Sequence, residues 1–315
     1  MAQKDTENVC FRTMIGGQAL IEGILMRGPT KQAIVCRTAD GITEKVEDLK
    51  LIKDKYPILG LPFIRGVATF LSSMACGVKA LTYSADLLPE DEQDEPTKFD
   101  NWLDKHLGSE KAKKFAIALA VVLGIGLAVT LFVLLPTFLV GLIPGLAGKT
   151  ALRSLLEGLC KLVIFFIYLR LCSGMKEMKR LFSYHGAEHK TIFCYEKNLP
   201  LTVENVRPQS RFHPRCGTSF LLVVIVLGIL LGFLIQVDNT LARIGLRLLL
   251  LPVLVGIAYE LNRWVGGHDN LLSRILSAPG KWVQRLTTHE PDDGMIECAI
   301  RALELVLPQE KGKDS

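Results

Sequence analysis

Long apolar runs separated by short polar turns dominate the pattern of this chain. Four of them, Phe115 to Ile143, Leu155 to Cys172, Thr218 to Val237 and Leu241 to Leu261, have about the 20 residues that an α-helix needs to cross a hydrocarbon core of about 30 Å. Short connections join the first to the second and the third to the fourth, which predicts two tight helical hairpins spanning residues 115–172 and 217–264. Pro136 predicts a kink in the first span. Glu157 and Lys161 open the second, so its start requires shielding by protein or a place at the interface. Gly228 and Gly232 form a G-x-x-x-G in the third, a weak packing signal.

Other periods occur outside these runs. In the first 57 residues, Ile15 to Pro29 has glycines bounding a short apolar run. Gln32 to Arg37, then Asp40-Gly41, then Ile42-Thr43 reads as a hairpin, so a small β-rich piece is expected. Over 58–84, Arg65 and Lys79 leave 13 residues between them, too few to cross. Val67, Phe70, Leu71, Met74, Val78 and Leu81 make one stripe, and Ser72, Ser73, Ala75 and Gly77 a small opposite side. An amphipathic helix lying in the membrane interface or under the β-rich piece is predicted. Residues 85–114 are acidic, with Glu90, Asp91, Glu92, Asp94 and Glu95 close together, and read as a linker. In the tail, 265–315, Leu271 to Leu286 is amphipathic and interrupted by Pro279-Gly280. Pro291-Asp292-Asp293 opens a last helix whose apolar face is Met295, Ile296, Ala299, Ile300, Leu303, Val306 and Leu307. Lys311 to Ser315 is expected to fray.

Composition agrees with a membrane protein: 49% of the 315 residues are apolar and the mean hydropathy is +0.31, too apolar for an ordinary soluble globule. The first ten residues are polar, so no cleavable signal peptide is expected. The eight cysteines show no C-x-x-C pair, which fits reduced thiols facing a cytosol. The net charge of +5 is explained by cytoplasmic loops rather than by nucleic acid, and no specific nucleic-acid partner is predicted. The 44-residue connection 173–216 holds eight Lys/Arg against four Glu. That bias predicts a cytoplasmic loop and cytoplasmic termini, although Arg243 and Arg247 near the fourth span run against it.

The chemistry gathers at that face. In a helix, His185, Glu188 and His189 stand at i, i+3 and i+4 and share one side. The H-x-x-E-H spacing reverses the zinc-peptidase motif, in which two imidazoles bind metal and a carboxylate handles a proton. Histidines that only bond backbone or lipid headgroups are the alternative. His213-Pro214-Arg215-Cys216 precedes the third span and Gly266-Gly267-His268-Asp269-Asn270 follows the fourth, so three ligand-rich segments emerge together. Four of the six histidines lie in them. His213, Cys216 or His268 would supply a third ligand to a divalent metal, zinc by donor type, leaving one position open. Glu188 is the candidate general base, and Arg215 or Arg27 a holder of an anionic group. Glu22 is a further candidate from the N-terminal piece, although Glu22 and Arg27 also read as a surface ion pair.

Gly16-Gly17-Gln18-Ala19-Leu20-Ile21-Glu22-Gly23, Met26-Arg27-Gly28-Pro29, Leu61-Pro62-Phe63-Ile64-Arg65-Gly66, Tyr184-His185-Gly186-Ala187-Glu188-His189-Lys190 and His213-Pro214-Arg215-Cys216-Gly217-Thr218-Ser219-Phe220 together resemble the YqhQ family of bacterial membrane proteins. The match runs from about Thr13 to Leu307; Leu20, Ile24 and Leu25 depart from it by apolar-for-apolar changes. The resemblance implies a multi-pass protein of the bacterial cell membrane. It also implies the label commonly given to that family of unknown function, a metal-dependent enzyme, which rests on the same H-x-x-E-H.

The expected architecture is a mainly α membrane protein: about four transmembrane helices in two hairpins, a small β-rich N-terminal cytoplasmic piece and amphipathic helices. The expected function is a metal-dependent enzyme, hydrolytic in type, at the cytoplasmic membrane surface. The competing expectation is a non-enzymatic membrane factor that accompanies the translocon, the ribosome or another partner in membrane-protein biogenesis. A large basic face, the 58–84 helix and the polar helix ends at Glu157 and Lys161 motivate it. A transporter fits less well, because the spans carry few ionisable residues to mark an ion path.

Overall fold

A computed structural model describes residues 10–49, 56–89, 102, 105, 106, 108–146, 148–268 and 270–308. Residues 90–101 of the acidic stretch, Asp269 and the tail 311–315 lie outside these residues. The chain is mainly helical, with one small antiparallel sheet near the N-terminus. In order, the elements are β1 (Gly16–Leu20), β2 (Gly23–Arg27), β3 (Lys31–Thr38) and β4 (Gly41–Asp48), followed by α1 (Ile64–Asp86). Next come α2 (Ser109–Val129), α3 (Leu135–Gly141), α4 (Thr150–Cys172) and α5 (Lys176–Glu196). The last are α6 (Gly217–Gly232), α7 (Thr240–Gly267), α8 (Leu271–Thr287) and α9 (Asp293–Glu304). They form two compact units, one from Met1–Leu88, Tyr168–Val224 and Pro252–Ser315, the other from Pro89–Ile167 and Ile225–Leu251.

The first unit is built on the sheet, whose strands run β1-β2-β3-β4. Successive side chains of a strand point to opposite faces, and here both faces are covered. Ile24, Met26, Ala33 and Val35 pack on Tyr184, Ala187 and Ile192 of α5 and on Ile296, Ala299 and Leu303 of α9. Leu25, Ile34 and Cys36 face the other way, against Ala80 of α1. This explains why β2 reads as a continuous apolar run. The β3–β4 turn is Ala39-Asp40, with Gly41 opening β4 at φ 124°; only glycine takes that conformation without strain. β4 is an exposed strand rich in charge, which guards the sheet edge. The last helix starts at the expected place: Asp292 caps it by accepting from the Met295 N–H at 2.8 Å.

Helix α1 packs against the sheet, one of its two expected places, but through the opposite stripe from the one expected. It is one unbroken helix of 23 residues, long and apolar enough to cross a membrane, because Arg65 sits at its very start rather than inside it. The Arg65 guanidinium donates to both Glu260 oxygens, at 2.7 and 2.5 Å. The side that α1 buries is the small one, Gly66, Gly77, Ala80 and Ser84, whereas Leu71, Met74 and Leu81 are exposed. Small residues let the helix lie close on the sheet: a Cβ at Gly77 would stand 2.5 Å from the Gln18 side-chain oxygen.

By length and composition, three helices suffice to cross a membrane, among the described residues: Ile64–Asp86, Glu110–Gly141 and Thr240–Gly267. Two of the expected spans correspond to the second and third of these. α6 has 16 residues, about 24 Å at the usual rise, and α4 carries Arg153, Glu157, Lys161 and Arg170 along its 23 residues. Pro136 is preceded by a π-helical turn, Thr130–Leu134, a device that absorbs the hydrogen bond a proline cannot donate. α8 is likewise not interrupted at Pro279 but runs through it. Gly280 of α8 fits against Ser219 so closely that a Cβ would stand 2.4 Å from its hydroxyl.

The second unit contains a buried charge cluster that accounts for the polar residues of the apolar runs. Glu157 of α4 is fully buried and receives Arg153 at 3.2 Å, Arg243 at 3.2 Å and Arg247. Arg243, also fully buried, further donates to the Ile235 and Val237 carbonyls at 3.1 and 3.0 Å. Arg247 donates to the Thr137 hydroxyl at 2.9 Å. Arg243 and Arg247, which ran against the loop-charge pattern, are thus partners of a carboxylate.

Candidate functional site

The site is built on α5, whose C-terminal part is buried from Tyr184 to Glu196 except for the half-buried His185. Burying charged and polar side chains is costly unless each finds a partner, and here each of two imidazoles does. His185 Nδ1 lies 2.9 Å from the Thr287 carbonyl, and His189 Nδ1 lies 2.6 Å from the Arg211 carbonyl. A carbonyl can only accept, so both Nδ1 atoms donate to backbone and both Nε2 atoms are turned away from it, His185 Nε2 toward Cys216. This outer-shell bond orients metal-binding histidines in general.

Cys216, immediately before α6, brings the third group. Its Sγ stands 3.2 Å from His185 Nε2 and 3.1 Å from the Thr218 hydroxyl. One ligand atom each from His185, His189 and Cys216 lies within 4.8 Å of the others. Glu188 stands beside them, its Oε1 accepting the Gly17 N–H of β1 at 2.9 Å. Its Oε2 is buried and meets no hydrogen-bond partner among the described residues. That approach requires a glycine: a Cβ at Gly17 would lie 2.6 Å from the Leu25 carbonyl oxygen and 3.1 Å from the Glu188 carboxyl carbon.

The electrostatics follow from burial opposed by pairing. Burial raises the Glu188 carboxyl, and the neighbouring imidazoles of His189 and His185 only partly offset this. Burial would lower His185, yet the charge of Cys216 and its hydrogen bond, with Glu188, carry it up to about 9. Conversely, burial would raise the Cys216 thiol, and the charges of His185 and His189 outweigh it, holding it well below the ordinary thiol range. With no cation between them, the pair is an imidazolium facing a thiolate.

Of the remaining sequence candidates, His213 is beside the trio, its ring centroid 5.6 Å from that of His189, but its ligand atoms are not part of the cluster. His213 is buried and turned toward Glu196, with Nε2 3.6 Å from its Oε2. Gln284 fixes the His213 backbone from both sides, accepting its N–H at 2.8 Å and donating to its carbonyl at 2.7 Å. Burial, opposed by Glu196, pushes His213 down to about 4. Arg215 donates to Glu196 and to the Thr13 carbonyl. His268 is exposed, bonded through Nδ1 to the Trp264 carbonyl at 2.8 Å and stacked on that indole. Glu22, at the β1–β2 turn with φ 50°, is held by Arg180 and by the Tyr184 hydroxyl at 3.2 Å. Arg27 donates to Ser73 of α1 at 3.0 Å.

A cleft of ≈ 770 Å³ contains the trio, with Glu188, Arg27, Arg215 and Arg263 also on its walls, a size within the range of small-molecule pockets. His213 lines it, whereas Glu22 and His268 do not. Sequence reasoning missed Glu196 and Gln284. Glu196 had a signal, since it follows His185 and His189 at 11 and 7 residues on the same helix and so shares their face. Gln284 and the Thr287 and Arg211 carbonyls had none, because they arrive through tertiary packing.

Comparison with known proteins places the chain. A family of proteins of unknown function, DUF1385, matches residues 61–309. An uncharacterized protein of Bacillus subtilis, YqhQ, is 34% identical over 299 residues, covering 93% of this chain and 92% of that one. The chain belongs to this family. No solved structure matches it. The family match begins at residue 61, whereas Gly17 and Arg27 of the cleft come from the strands before it; the longer alignment with the Bacillus protein extends beyond the family match.

Proposed function

We propose that this chain is a membrane-embedded, metal-dependent enzyme of hydrolytic type, with its site on the cytoplasmic membrane face. The observation that supports this reading is the convergence of two imidazole Nε2 atoms and one thiolate, each imidazole tied at Nδ1 to a backbone carbonyl. Two histidines and a cysteine form a donor set suited to zinc, with bonds of about 2.0 to 2.3 Å and a fourth position left open. The buried, unpartnered Oε2 of Glu188 fits the same interpretation, since a free carboxylate oxygen beside the ligands is what a proton acceptor needs. A metal ion held there supplies Lewis acidity to an attacking water or a substrate oxygen.

The chain's own residues then have defined tasks. His185, His189 and Cys216 hold the ion; Glu188 takes a proton and returns it to the leaving group; and Arg27 and Arg215 orient an anionic substrate. The apolar helices support a place in the bacterial cell membrane, and the Lys/Arg excess of residues 173–216 supports a cytoplasmic loop and termini. The test is metal analysis of the purified, folded full-length protein. Near-stoichiometric zinc or another transition metal, lost in His185→Ala and His189→Ala, is the expected result. A folded protein that never takes up metal overturns the reading and shifts weight to a non-enzymatic factor of the translocon or ribosome. For that factor, crosslinking to those partners would survive Glu188→Gln.

A further inference from the structure

The cleft around Glu188 has an unbalanced charge. Arg12, Arg27, Arg215 and Arg263 line it, and among its described lining residues Glu188 is the sole carboxylate. Arg215 is answered by Glu196. Arg27 is not answered by any carboxylate among the described residues; its side-chain contact is the hydroxyl of Ser73. Among the described residues the carboxylate near Arg263 is Glu260, which is already engaged by both nitrogens of Arg65. Two guanidinium groups, one from the end of β2 and one from α7, are thus left with their charge for something that enters the cleft. Guanidinium forks suit phosphate and carboxylate oxygens.

The walls say what else the occupant must be. Thr69 and Ser73 come from α1, and Tyr259, Asn262 and Gly266 from α7. Both helices are long and apolar enough to cross a membrane. α1 turns Leu71, Met74 and Leu81 outward, so the helix that carries the polar wall on one side presents hydrocarbon on the other. The polar wall of the cleft is thus one side of a helix whose other side is apolar.

We infer that the cleft binds an anionic amphiphile, a phosphate group carried on an acyl chain, with Arg27 and Arg263 holding the phosphate. This names the substrate class of the proposed catalytic site and rests on that site lying in the same cleft. Arg27 and Arg263 are substrate-holding groups; the cluster of His185, His189 and Cys216 is separate from them in side-chain contacts. The phosphate chemistry is shared by a lipid headgroup and free inorganic phosphate, and the apolar helices assign it to the lipid.

The test is calorimetric titration of the zinc-loaded, full-length protein in a neutral detergent with three probes: dihexanoyl phosphatidic acid, inorganic phosphate and dihexanoylglycerol. Phosphatidic acid is expected to bind about ten-fold or more tighter than inorganic phosphate, with no heat from dihexanoylglycerol. The paired change Arg27→Gln with Arg263→Gln is expected to weaken phosphatidic acid by about ten-fold or more, and Arg27→Lys with Arg263→Lys to restore most of it. Metal content and the thermal transition, measured on the same samples, are expected to stay at the unmodified values. Equal affinity for inorganic phosphate overturns the lipid assignment, and equal affinity for dihexanoylglycerol overturns the anion. Unchanged binding in the Gln pair removes the arginines from the role. Arginine-dependent lipid binding in a protein that holds no zinc would sink the metal reading and leave this one standing; zinc without lipid binding would do the reverse.

Discussion

His185 Nε2 and Cys216 Sγ face each other across 3.2 Å, although they stand 31 positions apart and on different helical segments. With both imidazole Nδ1 atoms committed to carbonyls, the direction of the three donor atoms is fixed before any ion arrives. Zinc content near one per chain is therefore expected to fall several-fold in His185→Ala, His189→Ala and Cys216→Ser, by about 10- to 100-fold in affinity. Glu188→Gln is expected to keep its metal while losing turnover of any phosphate-bearing substrate. Atomic-emission analysis of the folded variants decides this: equal metal in Cys216→Ser and the unmodified protein removes the thiolate from the set.

The thiolate character of Cys216 gives a second expectation. Burial drives Cys36 up to about 12, and Cys194 and Cys298 to about 11, while the paired imidazoles hold Cys216 low. At pH 6.5, iodoacetamide is expected to modify Cys216 well before those three, through the cleft it lines, and added zinc to slow that reaction. Peptide mass spectrometry over a time course reads the order. Labelling of Cys216 no faster than Cys194 counts against the ion pair.

His213 sets a pH dependence of stability. Its folded value of about 4 lies below the ordinary 6.5, so between these values the unfolded chain binds a proton that the folded chain refuses. Stability from this group is therefore present above about pH 6.5 and is lost as the pH falls toward 4, by at most about 3 kcal/mol. Thermal melts from pH 7.5 to 4 are expected to show that decline, and His213→Gln to flatten it. A slope that His213→Gln leaves unchanged assigns the acid limb to other groups.

In the second unit, Glu157 is the one carboxylate facing Arg153, Arg243 and Arg247 among the described residues. Glu157→Gln leaves buried guanidinium charge without its counter-charge, a loss of about 3 to 5 kcal/mol. The measurement is chemical or thermal unfolding in detergent. For comparison, Glu22→Gln breaks a half-exposed pair with Arg180 and is expected to cost about 1 kcal/mol or less. Similar losses in both would mean that the Glu157 cluster is not what holds its helices.

How far the sequence carried this picture depends on the range of the forces involved. The spacing of His185, Glu188 and His189 is a local, helical signal, and so are the Asp292 cap and the hairpin around Asp40-Gly41; each was legible. Which third group joins the imidazoles was not, because His213 is turned away by Gln284 and Glu196, and His268 by its stack on Trp264. α1 misled for a related reason. A large apolar stripe normally marks the buried side of a helix, but here the small stripe lies on the sheet and the large one is left outside. That reversal requires knowing what the helix is packed against. Glu157 and its arginines were read separately, as a polar start and a charge anomaly, since nothing local links positions 157 and 243.

The bond from the Gly17 N–H to Glu188 makes the first strand one wall of the cleft. A protein trimmed to the 61–309 stretch would keep every candidate metal ligand and still lose the N–H that holds the Glu188 carboxylate, along with the guanidinium of Arg27. The strands ahead of that stretch are thus half of the machine, and a chimera that swapped them between relatives would exchange substrate preference while leaving the metal seat as it was.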